Sequence, residues 1–443
     1  IRRIKRMKND RIEEYSLLNN AYYGDGGFLN GKYLVQHPRE SSEKYQQRLA
    51  LAYYLNYTSP CVNAHVDPIF KRDPQREYSG AITALWEDFA KDTDLAGTDL
   101  NTLVKRWAVA AKLYGIGYVV CDNAPQPGST IGEILESKKR PYAYLLDPDR
   151  VKEIKVDNNG KIIYFAFLER DPKSKRDFDR IFTTEGWELR DGDKVIDSGK
   201  YNLGRVPVVK LTSREISPFD MFPASEFLSI AMTNRSIYNK CSWLDDILRN
   251  QTFSILTYPT AKPESLDIGT DNALAYPPDS RHIPSFIAPP AECATVLANQ
   301  IQMLQEEIYR MAVVVNVTGV RTQSSGVAKQ WDFEQTNQLL SSFAGNIDVA
   351  ETELAELFAL WLGADFNYQC NYPKDFSVSD VTTELANAET AKALDFGTTF
   401  NTEVLKRVIT SYLPDLKKDR VEQIVNEYSD LADMSALDAT ESD

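Results

Sequence analysis

The chain of 443 residues is 43% hydrophobic and 26% charged, with a net charge of −14. That length is ample for a packed core and suggests about three domains, and no stretch of 18 uninterrupted apolar residues exists, so no transmembrane helix is expected. A protein that grips nucleic acid conventionally would be basic, so any nucleic-acid contact here is expected to be loose or confined to small patches.

Ile1 to Leu18 reads as a basic, partly helical arm without the apolar run of a secretory signal, and with Ile at position 1 a start upstream is left open. Tyr22 to Val35 reads as a Gly- and Tyr-rich loop. Helices are expected over Ser42 to Tyr57, with Tyr45, Leu49, Ala52 and Tyr53 on one side, and over Cys61 to Phe70, Ala81 to Ala90 and Leu100 to Leu113. The pattern then changes to strands: Gly117 to Asp122, Tyr142 to Leu146, Arg150 to Val156, Lys161 to Leu168, Asp177 to Thr183, Gly186 to Arg190, Lys194 to Asp197 and Val206 to Leu211. Asp157-Asn158-Asn159-Gly160 and Asp191-Gly192-Asp193 are hairpin turns, and Lys173 to Arg176 is a charged hairpin tip. This is an antiparallel β module of about 95 residues inserted in a helical protein.

Phe222 to Gly363 is the organising stretch. Phe227, Ile230, Ala231, Ile237, Cys241, Leu244 and Leu248 place an apolar stripe on one helix. Thr252 to Pro290 loses that period and fills with Pro, Asp and Gly, with short strands expected over Thr252 to Tyr258, Ala273 to Tyr276 and Ser285 to Ala288. Three such strands are too few for an independent sheet. After Pro289-Pro290, a favourable helix start, Leu297, Ile301, Leu304, Ile308, Met311 and Val315 form a second stripe. Asn316 to Gly326 is a loop of small polar residues. From Val327 a helix of about 37 residues, or roughly 55 Å, carries Leu340, Phe343, Ile347, Ala350, Leu354, Leu357 and Trp361 on one face and stops at Gly363. A kinked helix or two stacked helices would fit the same pattern. Both hairpin helices also have a polar face (Asn234, Asn239, Asp245, Asp246; Asn299, Gln302, Gln305, Glu306), expected to meet lumen or solvent. Phe366 to Tyr372 reads as a strand, Val378 to Asp395, Thr402 to Tyr412 and Lys417 to Leu431 as helices, and Ala432 to Asp443 as a frayed acidic tail. From Gly326 onward 8 Lys+Arg face 22 Asp+Glu, whereas the first 325 residues carry 42 of each. The excess acid is either solvated helix surface or has a specific role.

Signatures of catalysis are weak. Gly26-Gly27-Phe28-Leu29-Asn30-Gly31-Lys32-Tyr33 is nearly a phosphate-binding loop, but Tyr33 stands where Ser or Thr must hold Mg²⁺, so a Gly-rich surface loop is expected. The histidines are His37, His65 and His282, in no metal-binding spacing, and His65 with Asp67 reads as a surface pair. Asp245-Asp246 and Glu306-Glu307 read as solvated helix faces. The five cysteines, Cys61, Cys121, Cys241, Cys293 and Cys370, lie at least 52 residues apart. They are expected to be free thiols in a reducing compartment, neither a zinc site nor a disulfide framework. No catalytic residue, metal or cofactor is assigned.

The order of segments resembles the portal proteins of tailed double-stranded DNA bacteriophages, over most of the chain. Tyr45 to Arg72, with Tyr-Tyr-Leu-Asn-Tyr-Thr and Cys-Val-Asn-Ala-His-Val-Asp-Pro-Ile-Phe, looks like their N-terminal wing helices. Leu113 to Asp122 and Tyr142 to Gly160 look like the wing β region, and Gly204-Arg205-Val206-Pro207-Val208-Val209 is similar to its G-x-x-P-V-V end. The departure is a short crown.

The resemblance implies an α+β, mainly helical fold that forms a ring. Residues 1–115 would be the N-terminal arm and helical wing, 116–221 the wing β module, 222–251 the first stem helix and 252–290 the clip. Residues 291–315 would be the second stem helix, 316–326 the tunnel loop, 327–377 the long wing helix and strand, and 378–443 the crown and acidic tail. It further implies a homo-oligomer, a dodecamer at one capsid vertex of the virion, made in the host cytoplasm. Its partners would be double-stranded DNA, the terminase large subunit, a head–tail adaptor, and the major capsid and scaffolding proteins, with no membrane. Asn316, Thr318, Arg321, Thr322, Gln323, Ser324 and Ser325 would line the DNA channel. Tyr258, Lys262, Glu264, Asp267, Asp271, Asp279 and Arg281 would present the motor-docking clip. Two other classes stay open on the residues alone: an intracellular enzyme with a helical core and a β insertion, and a non-channel structural adaptor.

Overall fold

The computed structural model describes residues 3–6, 9–123, 140–171, 174–252, 255–259, 273–276, 285–287, 292–312 and 326–376, with 385–386, 388–391, 397–413, 416 and 420–428 beyond them. Two elements, helix α5 (Leu100–Tyr114) and strand β3 (Ile116–Asn123), are shared between its hydrophobic clusters. Asp99 caps α5, its Oδ1 accepting the Thr102 N–H at 3.0 Å, which satisfies one of the amides a helix start leaves free. Leu103, Val104, Trp107, Ala108 and Ala111 face one cluster, and Ala110, Leu113 and Tyr114 face another. Side chains alternate across a strand, and β3 has both faces covered: Val119 and Cys121 join the first cluster while Ile116, Tyr118 and Val120 join a third.

The N-terminal part supplies strand β1 (Arg3–Arg6) and helices α1 (Asn9–Tyr23), α2 (Ser42–Leu51), α3 (Thr58–Ala64) and α4 (Thr83–Lys91). The helix expected to run to Tyr57 ends at Leu51; residues 52–57 form no regular element, and the Asn234 side chain of a later helix takes their backbone groups. The next helix starts at Thr58 and ends at Ala64, short of Phe70. Strand β2 (Gln75–Gly80) was not expected.

The β module is two sheets. β10 (Val208–Thr212), β3 and β4 (Pro141–Leu146) make one. The other runs β1, β5 (Val151–Val156), β6 (Ile162–Arg170), β7 (Asp177–Thr183), β8 (Gly186–Asp191) and β9 (Lys194–Lys200), antiparallel throughout. The basic arm thus contributes an edge strand, Arg3 opposite Val156. Ile154, Phe165, Phe167 and Phe182 close the space between the sheets.

Helix α6 (Leu228–Thr252) leads to strands β11 (Ile255–Pro259), β12 (Ala273–Tyr276) and β13 (Ser285–Ile287). These pair with one another, β11 parallel to β12 and antiparallel to β13. Helix α7 (Glu292–Met311) returns beside α6. Helix α8 (Gly326–Leu362) is one unbroken helix of 37 residues, and Gly326 is its first residue, not the last of the preceding loop. Leu340, Phe343, Ile347, Ala350, Leu354 and Leu357 are all buried, and the half-buried Trp361 donates from Nε1 to the Cys121 carbonyl at 2.7 Å. Gly363 ends it at φ +61°, and the Ala364 N–H returns to the Ala359 carbonyl at 3.3 Å, the wrap-around bond that such a left-handed residue permits. β14 (Phe366–Asn371) then pairs with β2.

One buried cluster fastens α8 to that ribbon. Glu351, with 0% exposure, accepts from Arg76 Nε at 2.6 Å and Nη2 at 3.1 Å, and from the hydroxyls of Tyr368 and Tyr372 at 2.5 and 2.6 Å. A charge out of water is tolerated when it is paired and fully hydrogen-bonded. Helix α9 (Thr398–Tyr412) and helical residues 420–428 follow. Of the helix expected over Val378 to Asp395, residues 385–386 and 388–391 are helical; its remainder, and the tail from Ala432, lie outside the described residues.

Candidate functional site

The α6–α7 hairpin is held at its base by polar side chains on its own apolar stripe. Asn234 and Asn239 were expected on a lumen-facing side; both are buried. Asn234 falls four residues after Ile230 and three before Ile237, so it points where they point. Its Oδ1 accepts from Tyr54 Oη at 2.6 Å, the Tyr57 N–H at 3.0 Å and Thr58 Oγ1 at 3.1 Å, and its Nδ2 donates to the Leu55 carbonyl at 2.8 Å. Asn239 accepts the Val35 N–H at 2.8 Å and donates to the Tyr33 carbonyl at 2.9 Å, and Tyr238 Oη donates to the Phe28 carbonyl at 2.9 Å. These side chains serve the backbone of loops that have no sheet partner, which buried amides require.

His65 closes the base, and it is a buried residue rather than a surface pair with Asp67. Its ring meets Phe227, just before α6, edge-on at 5.5 Å, and its Nε2 lies 2.6 Å from the Ala312 carbonyl, just after α7. A carbonyl can only accept, so the neutral ring carries its proton on Nε2. Burial, and secondarily the charge of Lys112, push its pKa down to about 4. Asp67 instead pairs with Lys105 at 2.8 Å. Buried Lys112 sits 4.5 Å from the Phe343 ring centre and 3.7 Å from Glu226, which ties the start of α6 to α5 and α8.

Higher up, α2 lies along α6. Arg48 Nη1 donates to Ser242 Oγ at 3.1 Å while Nε and Nη2 hold Glu40 at 2.9 and 2.8 Å. That guanidinium keeps the Glu40 carboxyl below its usual pKa. Lys44 reaches Asp246 at 3.1 Å, so the Asp245-Asp246 pair borders a cleft between α2 and α6 instead of standing free in solvent. Elsewhere the hairpin is uncovered: Met232, Trp243, Val296 and Met303 are 48, 39, 57 and 59% exposed. Lys240 Nζ donates to Gln300 Oε1 at 2.9 Å, which joins the two helices on that outer side.

The near-phosphate loop lies at the surface, as expected, with Gly26, Leu29, Asn30 and Lys32 exposed, but Phe28 and Tyr33 anchor it in the core. A Cβ on Gly27 would stand 2.3 Å from Tyr33 Cε2, so the Tyr33 ring fills the place where a phosphate would need room. Among the described residues no group of three His, Cys, Asp or Glu could hold a metal ion, and no helix is long and apolar enough to cross a membrane. Of the residues assigned to motor docking, Tyr258 lies on β11 opposite Ala275; Lys262, Glu264, Asp267, Asp271, Asp279 and Arg281 lie outside the described residues. So do Asn316, Thr318, Arg321, Thr322, Gln323, Ser324 and Ser325. His65, Arg48 and the two buried asparagines were not singled out from sequence as structural groups, although the helical spacing of Asn234 was a usable signal.

No family model and no curated protein matches the chain. Solved structures with a similar chain include "Neck of native GTA particle computed with C12 symmetry" (11% identity, TM-score 0.43, 92% of this chain and 95% of that one). Another is "Virion of native gene transfer agent (GTA) particle" (12%, 0.43, 92% and 94%). A third is "Neck of empty GTA particle computed with C6 symmetry" (12%, 0.46, 94% and 96%). Likeness at this level decides nothing about what the chain does.

Proposed function

We propose that the protein is a phage-type portal: a non-enzymatic ring at one vertex of a capsid, through which double-stranded DNA is packaged and ejected. The observation that carries this is the hairpin itself. Two helices of 25 and 20 residues, joined by a three-stranded sheet, have one side sewn into the N-terminal domain and the other side exposing Met232, Trp243, Val296 and Met303. An exposed apolar face of that kind marks an interaction surface, and copies of this chain arranged about an axis would cover it.

In that ring, proposed as a dodecamer, residues 252–290 form the clip that docks the terminase motor, and residues 316–325, ahead of α8, the tunnel loop. Arg321 is the loop's only charge, so the ring presents a circle of guanidinium groups to DNA phosphates. Such contacts position DNA without reading its sequence. The carboxylates beyond Gly326 bind no phosphate. Each cation contact adds affinity and residence on DNA, so a largely acidic wall lets the duplex slide. The virion is the site of action, with a head–tail adaptor and the capsid and scaffolding proteins as further partners. Mass photometry of the purified protein tests this: a particle many times the 50.2 kDa chain is expected. A monomer or dimer would favour an enzyme or a non-channel adaptor.

A further inference from the structure

The root of the α6–α7 hairpin closes over a buried cluster of ionisable groups. His65, just after α3, lies between Phe227, which leads into α6, and Ala312, which follows α7. Lys112 of α5 is buried beside it; its Nζ donates to the Ser213 carbonyl at 3.2 Å and stands 3.7 Å from Glu226 Oε2, over the Phe343 ring of α8. Glu226 also accepts from Ser213 Oγ at 3.1 Å and lies 3.7 Å from Arg214 Nε.

The charges that act on His65 are Lys112, from α5, and Glu226, from the turn into α6. The α7 side presents the Ala312 carbonyl, Asp67 is turned to Lys105, and Arg214 reaches the cluster through Glu226. While His65 is neutral, Lys112 and Glu226 balance. A proton on the ring sets a second cation beside Lys112 against one carboxylate, and a buried charge without its own partner is costly. Hydrating that ring requires the root to open. Phe227, Ile308 and Ala312 belong to the cluster around Tyr238 and Ile301, and none of them to the one that α5 shares with α8, so the root can part while the latter core stays packed.

We infer that His65, Lys112 and Glu226 form a proton-operated catch on the hairpin root. Neutral His65 clasps the chain where it enters α6 and where it leaves α7, and a protonated ring opens that root while the rest of the domain stays folded. The catch lies within one chain and does not depend on the ring proposed above. In an open root the imidazole meets water and titrates near about 6.5. In the closed root burial, and then Lys112, hold it at about 4. Opening therefore takes up a proton between those values: it is insensitive to pH above about 6.5 and is favoured as pH falls toward 4. From pH 7 to pH 5 the opening equilibrium should grow about twentyfold.

Hydrogen exchange of the full chain, read by mass spectrometry and corrected for the intrinsic rate at each pH, tests the catch. Peptides covering residues 226–232 and 306–312 should open about twentyfold more at pH 5 than at pH 7, and those covering residues 103–111 of α5 should not. His65→Gln, which still donates to Ala312 but does not titrate, should abolish the rise. Lys112→Met removes the cation that opposes the proton, so it should shrink the rise and move the His65 pKa upward, followed by NMR of histidine-labelled protein with His65→Gln assigning the signal. A lysine that only fills space would leave that pKa unmoved. Thermal melts check that each variant is folded, and the comparison of the unaltered protein with His65→Gln stands without Lys112→Met. A rise that appears equally in residues 103–111, a rise that persists in His65→Gln, or an unmoved His65 pKa in folded Lys112→Met would overturn the catch.

Discussion

Protonation of His65 acts on the hairpin where both its ends enter the domain. In an unfolded chain this imidazole titrates near its ordinary value of about 6.5. In the folded protein burial, and then Lys112, hold it down at about 4. Between those two values the unfolded chain binds the proton more readily than the folded one. The stability contributed by neutral His65 is therefore complete above about pH 6.5 and is lost as pH falls toward 4. At about 1.4 kcal/mol per pH decade the full span is worth about 3 kcal/mol. The hydrogen bond to the Ala312 carbonyl, and then the charge of Glu226, partly offset this by raising the His65 pKa. His65→Gln keeps a donor for the Ala312 carbonyl and removes the titration. Urea unfolding of both proteins between pH 7 and pH 4 should show the native protein losing about 3 kcal/mol more than the variant. Parallel pH profiles would refute the placement of His65 between Phe227 and Ala312.

Other consequences can be measured separately. Glu351→Gln should cost about 3–5 kcal/mol in urea unfolding, because it leaves Arg76 without its buried counter-charge; a loss below about 1 kcal/mol, the range of an exposed pair, would contradict the burial. The phenols of Tyr118, Tyr144 and Tyr372 are held well above their ordinary pKa, in each case mainly by burial. Their contribution is complete below about pH 10 and is lost as pH rises past it. The phenolate absorbance of these three should therefore appear only together with unfolding, so replacing them with Phe should remove absorbance from the unfolding step alone. Arg321→Glu should leave assembly intact and lower DNA packaging or genome retention; normal yield and retention would remove the loop from the DNA path.

The long elements were legible because their signal is a period. The α8 stripe from Leu340 to Trp361 sits where the helical spacing puts it, and Gly363 stops the helix as a left-handed residue should. The hairpin strands around Asn158-Asn159-Gly160 follow local turn chemistry. What failed depends on distant partners. Helix α2 stops at Leu51, and beyond it Asn234, far along the chain, serves the Leu55 carbonyl and the Tyr57 amide. Strand β2 has almost no apolar alternation; it is a strand because β14 pairs with it and Arg76 reaches Glu351. Asn234, Asn239 and His65 were placed by polarity on exposed faces, and each is buried because it satisfies backbone groups that no other element reaches. Polarity alone does not tell a solvated side chain from one that is bonded inside.

Class-averaged end-on images of the purified full chain test the central claim most directly. A portal predicts a closed ring of identical subunits around a central channel wide enough for a DNA duplex. Compact particles without a channel, at concentrations where the protein is folded, would contradict it.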